Sequence, residues 1–391
     1  MSAGTITSAF LRPALVTLAG TLAFLCLFDL GFYAIRTMPA IRDAVPGSIV
    51  RYLGHGVSVP GKLERAGAED WPFPQAGWLG PDAERATRQG LSASPGRHPA
   101  WGAGADRPCV TFYGMSFANR MSRALERRHG DAFEVRRVTA PSAPPNWTLA
   151  AYMADRPVSG CRDVVVWSIL SAGTSALGST SMLMHGFDYP QIYALPAMRA
   201  VDGGVALRWP DLATEADLKA AVRDRARMAA WSATLSDEEA YSPAAWSARW
   251  ADRSTLLGFL RRGLAVGDIA EVKAAKTGSP EALEASGTAA TLALMAERFV
   301  AAAEADGSSP VILVIQNRAE RAGIAEALCA ADGSLPVFDT GLVVDPYDTA
   351  QFQSDGHYLP GVDDVLADRF ADALSSGGLG CAATLGRRNG A

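Results

Sequence analysis

Two runs, Val164-Val165-Val166-Trp167 and Val311-Ile312-Leu313-Val314-Ile315, are apolar at every position. A strand with one wet face alternates apolar and polar side chains, so an unbroken run of this kind belongs to a strand covered on both sides. Weaker β-type runs add to these, giving candidate strands Val110–Gly114, Phe133–Thr139, Asp163–Leu170, Pro310–Gln316 and Leu335–Asp339. Helical periodicity fills gaps at Arg120–Arg128, Leu149–Ala154, Arg318–Ala331 and Val362–Leu374. The alternation predicts an α/β domain: a three-layer α/β/α arrangement around a mainly parallel five-stranded sheet. A chain of 391 residues holds one such domain with attachments.

The attachments begin at the amino terminus. Residues 1–12 form a short tail, and residues 13–36 contain the apolar run Ala14 to Ile35, about 22 residues and long enough to cross a bilayer as a helix. A cleaved signal peptide is the competing reading; the run is long for one, no small-x-small site follows closely, and Leu25 before Cys26 spoils a lipoprotein-type site. Asp29 lies inside the run, where a carboxylate marks a partner contact or reaches for the interface. Arg12 precedes the span while Arg36, Arg42 and Arg51 follow it, so charge alone does not favour export of what comes after. Residues 37–106 are rich in Pro, Gly and Arg with Trp71, Trp78 and Trp101 scattered among them; they read as a linker that packs on the main domain through its aromatics. The α/β domain is expected over 107–378, and a tail over 379–391.

In open parallel sheets, ligands bind beyond the carboxyl ends of the strands. At that edge, after the first strand, Gly114-Met115-Ser116 leads into a helix. A serine at a helix amino end sits under unpaired backbone N–H groups that would stabilise an oxyanion formed there. After the last strand comes Phe352-Gln353-Ser354-Asp355-Gly356-His357-Tyr358-Leu359-Pro360-Gly361, followed by another helix. An imidazole can take the serine proton, and a carboxylate can fix its tautomer, so Ser116, His357 and Asp355 form a candidate triad.

Together these two stretches resemble the SGNH (GDSL-type) hydrolase family, over roughly residues 109–375. Its first block is strand, Gly-Asp-Ser, helix, and its last is an Asp and a His just before the final helix. The resemblance implies a flavodoxin-like strand order, ester hydrolysis or acyl transfer through Ser116, His357 and Asp355, and no cofactor or metal. It also has departures. Met115 stands where the family usually has Asp, and Asp355 precedes His357 by two residues where three is commoner. The oxyanion-hole Gly and the Gly-x-Asn of the middle blocks are not matched by Val138–Asn146 or Leu170–Ser175. Gly114, Asn146 and Gly173 are the candidates left for holding the oxyanion. Gly114-Met115-Ser116-Phe117-Ala118 also nearly fits the elbow of α/β-hydrolases, but little strand precedes it and the acid sits beside the histidine.

In a sheet of this type the first and third strands are neighbours, so Cys109 and Cys161 are within reach of a disulfide, and Cys329 with Cys381 would pin the carboxyl terminus. Paired cysteines suit an oxidising compartment, while four unrelated buried thiols remain the alternative. With the family resemblance they imply a single-pass membrane protein whose carboxyl-terminal domain is extracytoplasmic, in a periplasm.

Between the third and fourth strands about 135 residues intervene, far more than a connection needs. This insertion (176–306) opens with Ser181–Tyr193, continues as a hairpin around Asp202-Gly203-Gly204, and then as helices at 214–235, 243–275 and 281–305. It leaves the active edge of the sheet and is expected to roof the site, with Phe187, Tyr189 and Tyr193 stacking on sugar rings or packing in a structural cap. His185 has no Cys, His or carboxylate spacing beside it to make a metal site. His55, His98 and His129 read as solvated. A net charge of −5 without a basic cluster argues against nucleic acid. Two function classes follow. One is a serine-dependent acyl ester hydrolase or O-acyltransferase acting on an acylated extracytoplasmic carbohydrate. The other is a catalytically inactive binding or assembly protein on the same fold, serving envelope polysaccharide export or modification machinery.

Overall fold

The computed structural model describes residues 3–68, 79, 83–92, 107–157, 159–181, 195–239, 241–319 and 323–386. The strands are β1 (Cys109–Gly114), β2 (Glu134–Thr139), β3 (Val164–Leu170), β4 (Ala197–Val201), β5 (Gly204–Arg208), β6 (Ser309–Ile315) and β7 (Val337–Asp339). Five of them form one sheet in the order β2-β1-β3-β6-β7, every pairing parallel, while β4 and β5 make the expected hairpin. All residues of β1 and β3 are buried, Thr111 and Ser168 included, and in β3 the apolar run Val164–Trp167 demands it. β2 is an edge, and its Arg136 and Arg137 pair with Asp155 and Glu126 of the flanking helices.

Successive strand residues point to opposite faces, and helices wait on each side. Phe112 meets Phe370 of the helix Pro360–Ser376, which also packs on Phe338 of β7. Tyr113, the next residue, meets Tyr152 of the helix Pro145–Asp155; Phe299 of the helix Thr288–Ala305 closes on both Tyr152 and Trp167. The helix Thr288–Ala305 therefore covers the sheet and is not part of a roof. Apolar burial at roughly 25 cal/mol per Å² makes these two interfaces the main store of stability. Cys109 is bonded to Cys161 and Cys329 to Cys381, so each expected disulfide is present.

A second, smaller core lies outside the sheet. Val59 and Leu63, in the helix Val59–Ala68, pack with Leu212, Leu218, Met228, Trp231, Leu235 and Ile269 of the insertion. The stretch expected to be a linker is thus in part half of a folded module. Its helix Ala83–Ser92 also adds Ala83 and Leu91 to the main core. Trp71, Trp78 and Trp101 lie outside the described residues. The module is locked by Asp252, whose carboxylate accepts from the Ser58 backbone N–H (2.8 Å) and hydroxyl (2.7 Å) and pairs with buried Arg261. Arg261 also donates to the Gly56 carbonyl at 3.2 Å. Here Gly56 crosses Gly258 so closely that a methyl on Gly56 would stand 2.2 Å from the Gly258 carbonyl atoms.

The amino-terminal helix runs Ala3–Thr37, and its stretch Leu11–Thr37 is long and apolar enough to cross a membrane. Near its end, Asp29 accepts a hydrogen bond from the Leu256 N–H at 3.0 Å, at the start of the insertion helix Thr255–Thr277. Arg36 donates to the Asp252 carbonyl (3.0 Å) and the Thr255 hydroxyl (3.3 Å). The acidic residue flagged within the apolar run is therefore a tie to the domain.

Candidate functional site

The site is built where the chain reverses direction across the sheet, with β2 on one side of β1 and β3 on the other. β1 ends at Gly114, Met115 is extended (φ −114°, ψ −166°), and the helix Ser116–His129 begins. Gly114 is required by space: a methyl there would lie 2.4 Å from the Ala118 Cβ and 2.9 Å from the Ser168 Oγ. The first helical bond runs from the Asn119 N–H to the Met115 carbonyl at 2.9 Å, and Met115 supplies no side-chain cap. The N–H groups of Ser116, Phe117 and Ala118 thus precede the first intrahelical bond, and their dipoles favour negative charge at that end.

Over this turn stands His357, whose Nε2 is 2.7 Å from the Ser116 Oγ. Its loop is a tight reversal. Gln353 N–H donates to the His357 carbonyl at 2.6 Å, and Gly356 takes a φ of +87°, which a residue with a Cβ rarely adopts. Behind the histidine, Tyr358 is buried and donates its hydroxyl to the Gln316 carbonyl at 2.6 Å, which fixes the loop to the end of β6. The imidazole lies against the Phe117 ring, centroids 4.7 Å apart and planes 28° apart. Arg120, one turn beyond Ser116, donates to the Tyr358 carbonyl (2.8 Å) and to buried Asp363 (2.9 Å), clamping the serine and histidine segments to each other.

Asp355 reaches the same histidine by two routes. Its Oδ1 accepts the His357 backbone N–H at 3.1 Å, and its Oδ2 lies 3.1 Å from Nδ1. The second contact is off the line of the ring N–H, so it is a close polar approach without an aligned hydrogen bond. Asp355 is 60% exposed. The His357 backbone N–H, and then its side chain, hold the Asp355 carboxyl below the usual carboxylate range. Asp363 goes the other way, raised by burial against the pull of Arg120.

The three residues expected to form a triad are brought together; the proposed helpers fare differently. Asn146 is fully buried, and its amide nitrogen donates to the Pro196 carbonyl at 2.8 Å, with the Ala176, Leu177 and Ser179 carbonyls within 3.3–3.4 Å. Its donor is spent on backbone carbonyls and is not offered to an oxyanion. Gly173 sits in the turn Ser171–Ala176 after β3, where a methyl would rest 3.5 Å from Pro144 and Pro145, so space does not demand glycine. The insertion docks on this same turn: Tyr241 donates to the Ser175 carbonyl at 2.9 Å and accepts from Lys276 at 2.8 Å. Its aromatic segment with His185, Phe187, Tyr189 and Tyr193 lies outside the described residues, as does His98.

Two histidines differ from expectation. His55 is buried beside Tyr52, and His129 places Nε2 2.8 Å from Asp368. Among the described residues, no group of three or more His, Cys, Asp or Glu is arranged to hold a metal ion. Phe117, Arg120 and Asp363 were missed in the sequence. For Arg120 the i, i+4 spacing from Ser116 was a usable signal, since it sets both on one helix face; nothing local marks Asp363. No protein-family model, no curated protein and no solved structure matches this chain.

Proposed function

We propose that this protein is a serine-dependent acyl ester hydrolase or O-acyltransferase of the SGNH type. It would act on an acylated carbohydrate outside the cytoplasm, carried on a single amino-terminal membrane span. The observation that carries the reading is the 2.7 Å contact between Ser116 and His357, two residues 241 positions apart in sequence. Support also comes from the parallel sheet with the serine after β1 and the histidine before the last long helix, and from two disulfides, which suit an oxidising compartment.

In this mechanism the Ser116 oxygen attacks the ester carbonyl while His357 Nε2 takes its proton. The carbonyl oxygen becomes an oxyanion beneath the free N–H groups at the start of the serine's helix. His357 then gives the proton to the departing alcohol, leaving an acyl-serine. Water or a second sugar hydroxyl, deprotonated by the same imidazole, attacks the acyl-serine; Ser116 recovers its proton, and the product is the free acid or a new ester. Asp355, ionised, balances the charge that the imidazole gains.

A fluorophosphonate probe is expected to label the full-length protein and to spare Ser116→Ala and His357→Ala. Equal labelling of all three would overturn the proposal. Hydrolysis and transfer separate on adding a sugar acceptor to a small acetyl ester: transfer gives acetylated sugar in place of free acetate. The second reading, a non-catalytic binder within envelope polysaccharide machinery, is favoured by the exposed, poorly aligned Asp355. It predicts saccharide binding by a protein that neither labels nor turns over.

A further inference from the structure

The insertion carries a row of large apolar side chains that no part of the described protein covers. Along the helix Thr255–Thr277, Leu260 is 67% exposed and Leu264 63%. Leu257 and Val266 flank them, and Trp250 projects just before the helix at 70% exposure. Ile49 and Tyr52, on the neighbouring helix Gly47–Gly54, are exposed as well. Such a patch on a water-soluble surface is unusual, and its partner must be apolar.

The amino-terminal helix says what that partner is. Arg12 and Arg36 bracket its apolar residues 13–35, a length of about 35 Å at 1.5 Å per residue, enough for a hydrocarbon core of about 30 Å. Asp29 is inside that bracket, and it holds the Leu256 N–H. The insertion helix therefore starts level with the outer part of the membrane span. From Asp29 to Thr37 the anchor rises about 12 Å, and from Leu256 to Leu264 the insertion helix can rise no more than about the same 12 Å, both being eight residues. With the anchor upright in the bilayer, the Leu257–Leu264 row reaches no farther than the anchor's last turn, whatever the tilt of the insertion helix. At the same level a cavity of about 700 Å³ is lined by Tyr33, Arg36, Trp250 and Arg253 among others. Aromatic and cationic side chains together are what the headgroup layer favours.

We infer that residues 250–266 are an interfacial membrane element: the first half of the insertion helix lies in the boundary between headgroups and acyl chains of the bilayer that holds the anchor. Leu257, Leu260 and Leu264 face lipid. This rests on the reading of the amino-terminal helix as a membrane span. Its consequence is that the domain is seated on the membrane by two elements, with the smaller core between the bilayer and the sheet, so that it cannot swing freely on a tether.

The test uses the full-length protein with Cys26→Ala and one new cysteine, Leu260→Cys or Leu264→Cys, labelled with an environment-sensitive NBD dye and reconstituted into phosphatidylcholine vesicles. Some vesicles carry a nitroxide on the lipid acyl chain. Arg127→Cys, on an exposed side chain of the sheet domain, is the aqueous reference, and the dye on native Cys26 is the buried one. The expected result is a blue-shifted emission at 260 and 264 with nitroxide quenching close to that at Cys26 and well above that at Arg127→Cys. Vesicle-bound protein whose dye at both positions is unquenched overturns the inference and leaves the anchor standing; that outcome includes a dye shielded by a second copy or another protein. Protein that fails to float with vesicles overturns both.

Discussion

A serine oxygen and an imidazole nitrogen 2.7 Å apart define one proton path, and each substitution near it has a calculable sign. Ser116→Ala and His357→Ala should each lower kcat/KM on a small acetyl ester to background, a loss on the order of 10⁶-fold in well-studied serine hydrolases. Asp355→Asn should cost less than loss of a buried triad acid, about 10- to 100-fold, because an exposed carboxylate is screened by water and its ring contact is poorly aligned. A loss equal to that of His357→Ala would mean the acid closes on Nδ1 during turnover. Arg120→Met should lower kcat while leaving KM nearly unchanged, since Arg120 aligns the histidine loop through the Tyr358 carbonyl and Asp363. An unaltered kcat would show that Tyr358 and Phe117 hold the loop alone.

Between elements, fit is decided by glycines and by polar ties that cross long stretches of chain. Gly56→Ala drives a methyl into the Gly258 backbone, where no rotamer can yield, so the smaller core should lose about 1–3 kcal/mol. Limited proteolysis should then cut within residues 47–68 before the sheet domain, and simultaneous cleavage of both would show a single cooperative unit. Asp29→Leu removes the acceptor for the Leu256 N–H but keeps the helix apolar. The expected outcome is normal vesicle association with faster hydrogen exchange at the start of the insertion helix.

For the molecule as a whole, two disulfides close loops of 52 residues each, and reduction should remove about 2–4 kcal/mol per bond. Acid acts through carboxylates held below their ordinary range: Asp355 by the His357 backbone N–H, Asp332 by the Ser334 side chain and Asp368 by Arg128. Folded, these groups bind fewer protons than they do unfolded. Their contribution is complete above the ordinary carboxylate pKa of about 4 and is lost as the pH falls through their lowered values. Asp363 is shifted upward, so its contribution is present in acid and disappears as the pH rises through its folded value. Chemical denaturation should therefore show stability declining below about pH 4, and a protein equally stable at pH 3 and pH 7 would contradict this balance.

The central strands β3 and β6 were legible within a residue or two because burial on both faces leaves an unbroken apolar run, as at Val164–Trp167 and Val311–Ile315. Ser116, His357 and Asp355 were legible because each sits at a turn between a strand or loop and a helix, where local chemistry shows. The roles of Asn146, Arg120, Asp363 and Asp29 were not, because each hydrogen bond spans dozens to hundreds of residues and leaves no periodic trace in the chain. The same holds for the stretch after the amino-terminal helix, whose Val59 and Leu63 find their partners only across the insertion. Sequence alone determined the layer that each apolar run must occupy, since hydrophobic burial acts on pattern. Tertiary structure decided which distant donors and acceptors meet, since a hydrogen bond depends on position and angle that no local pattern contains.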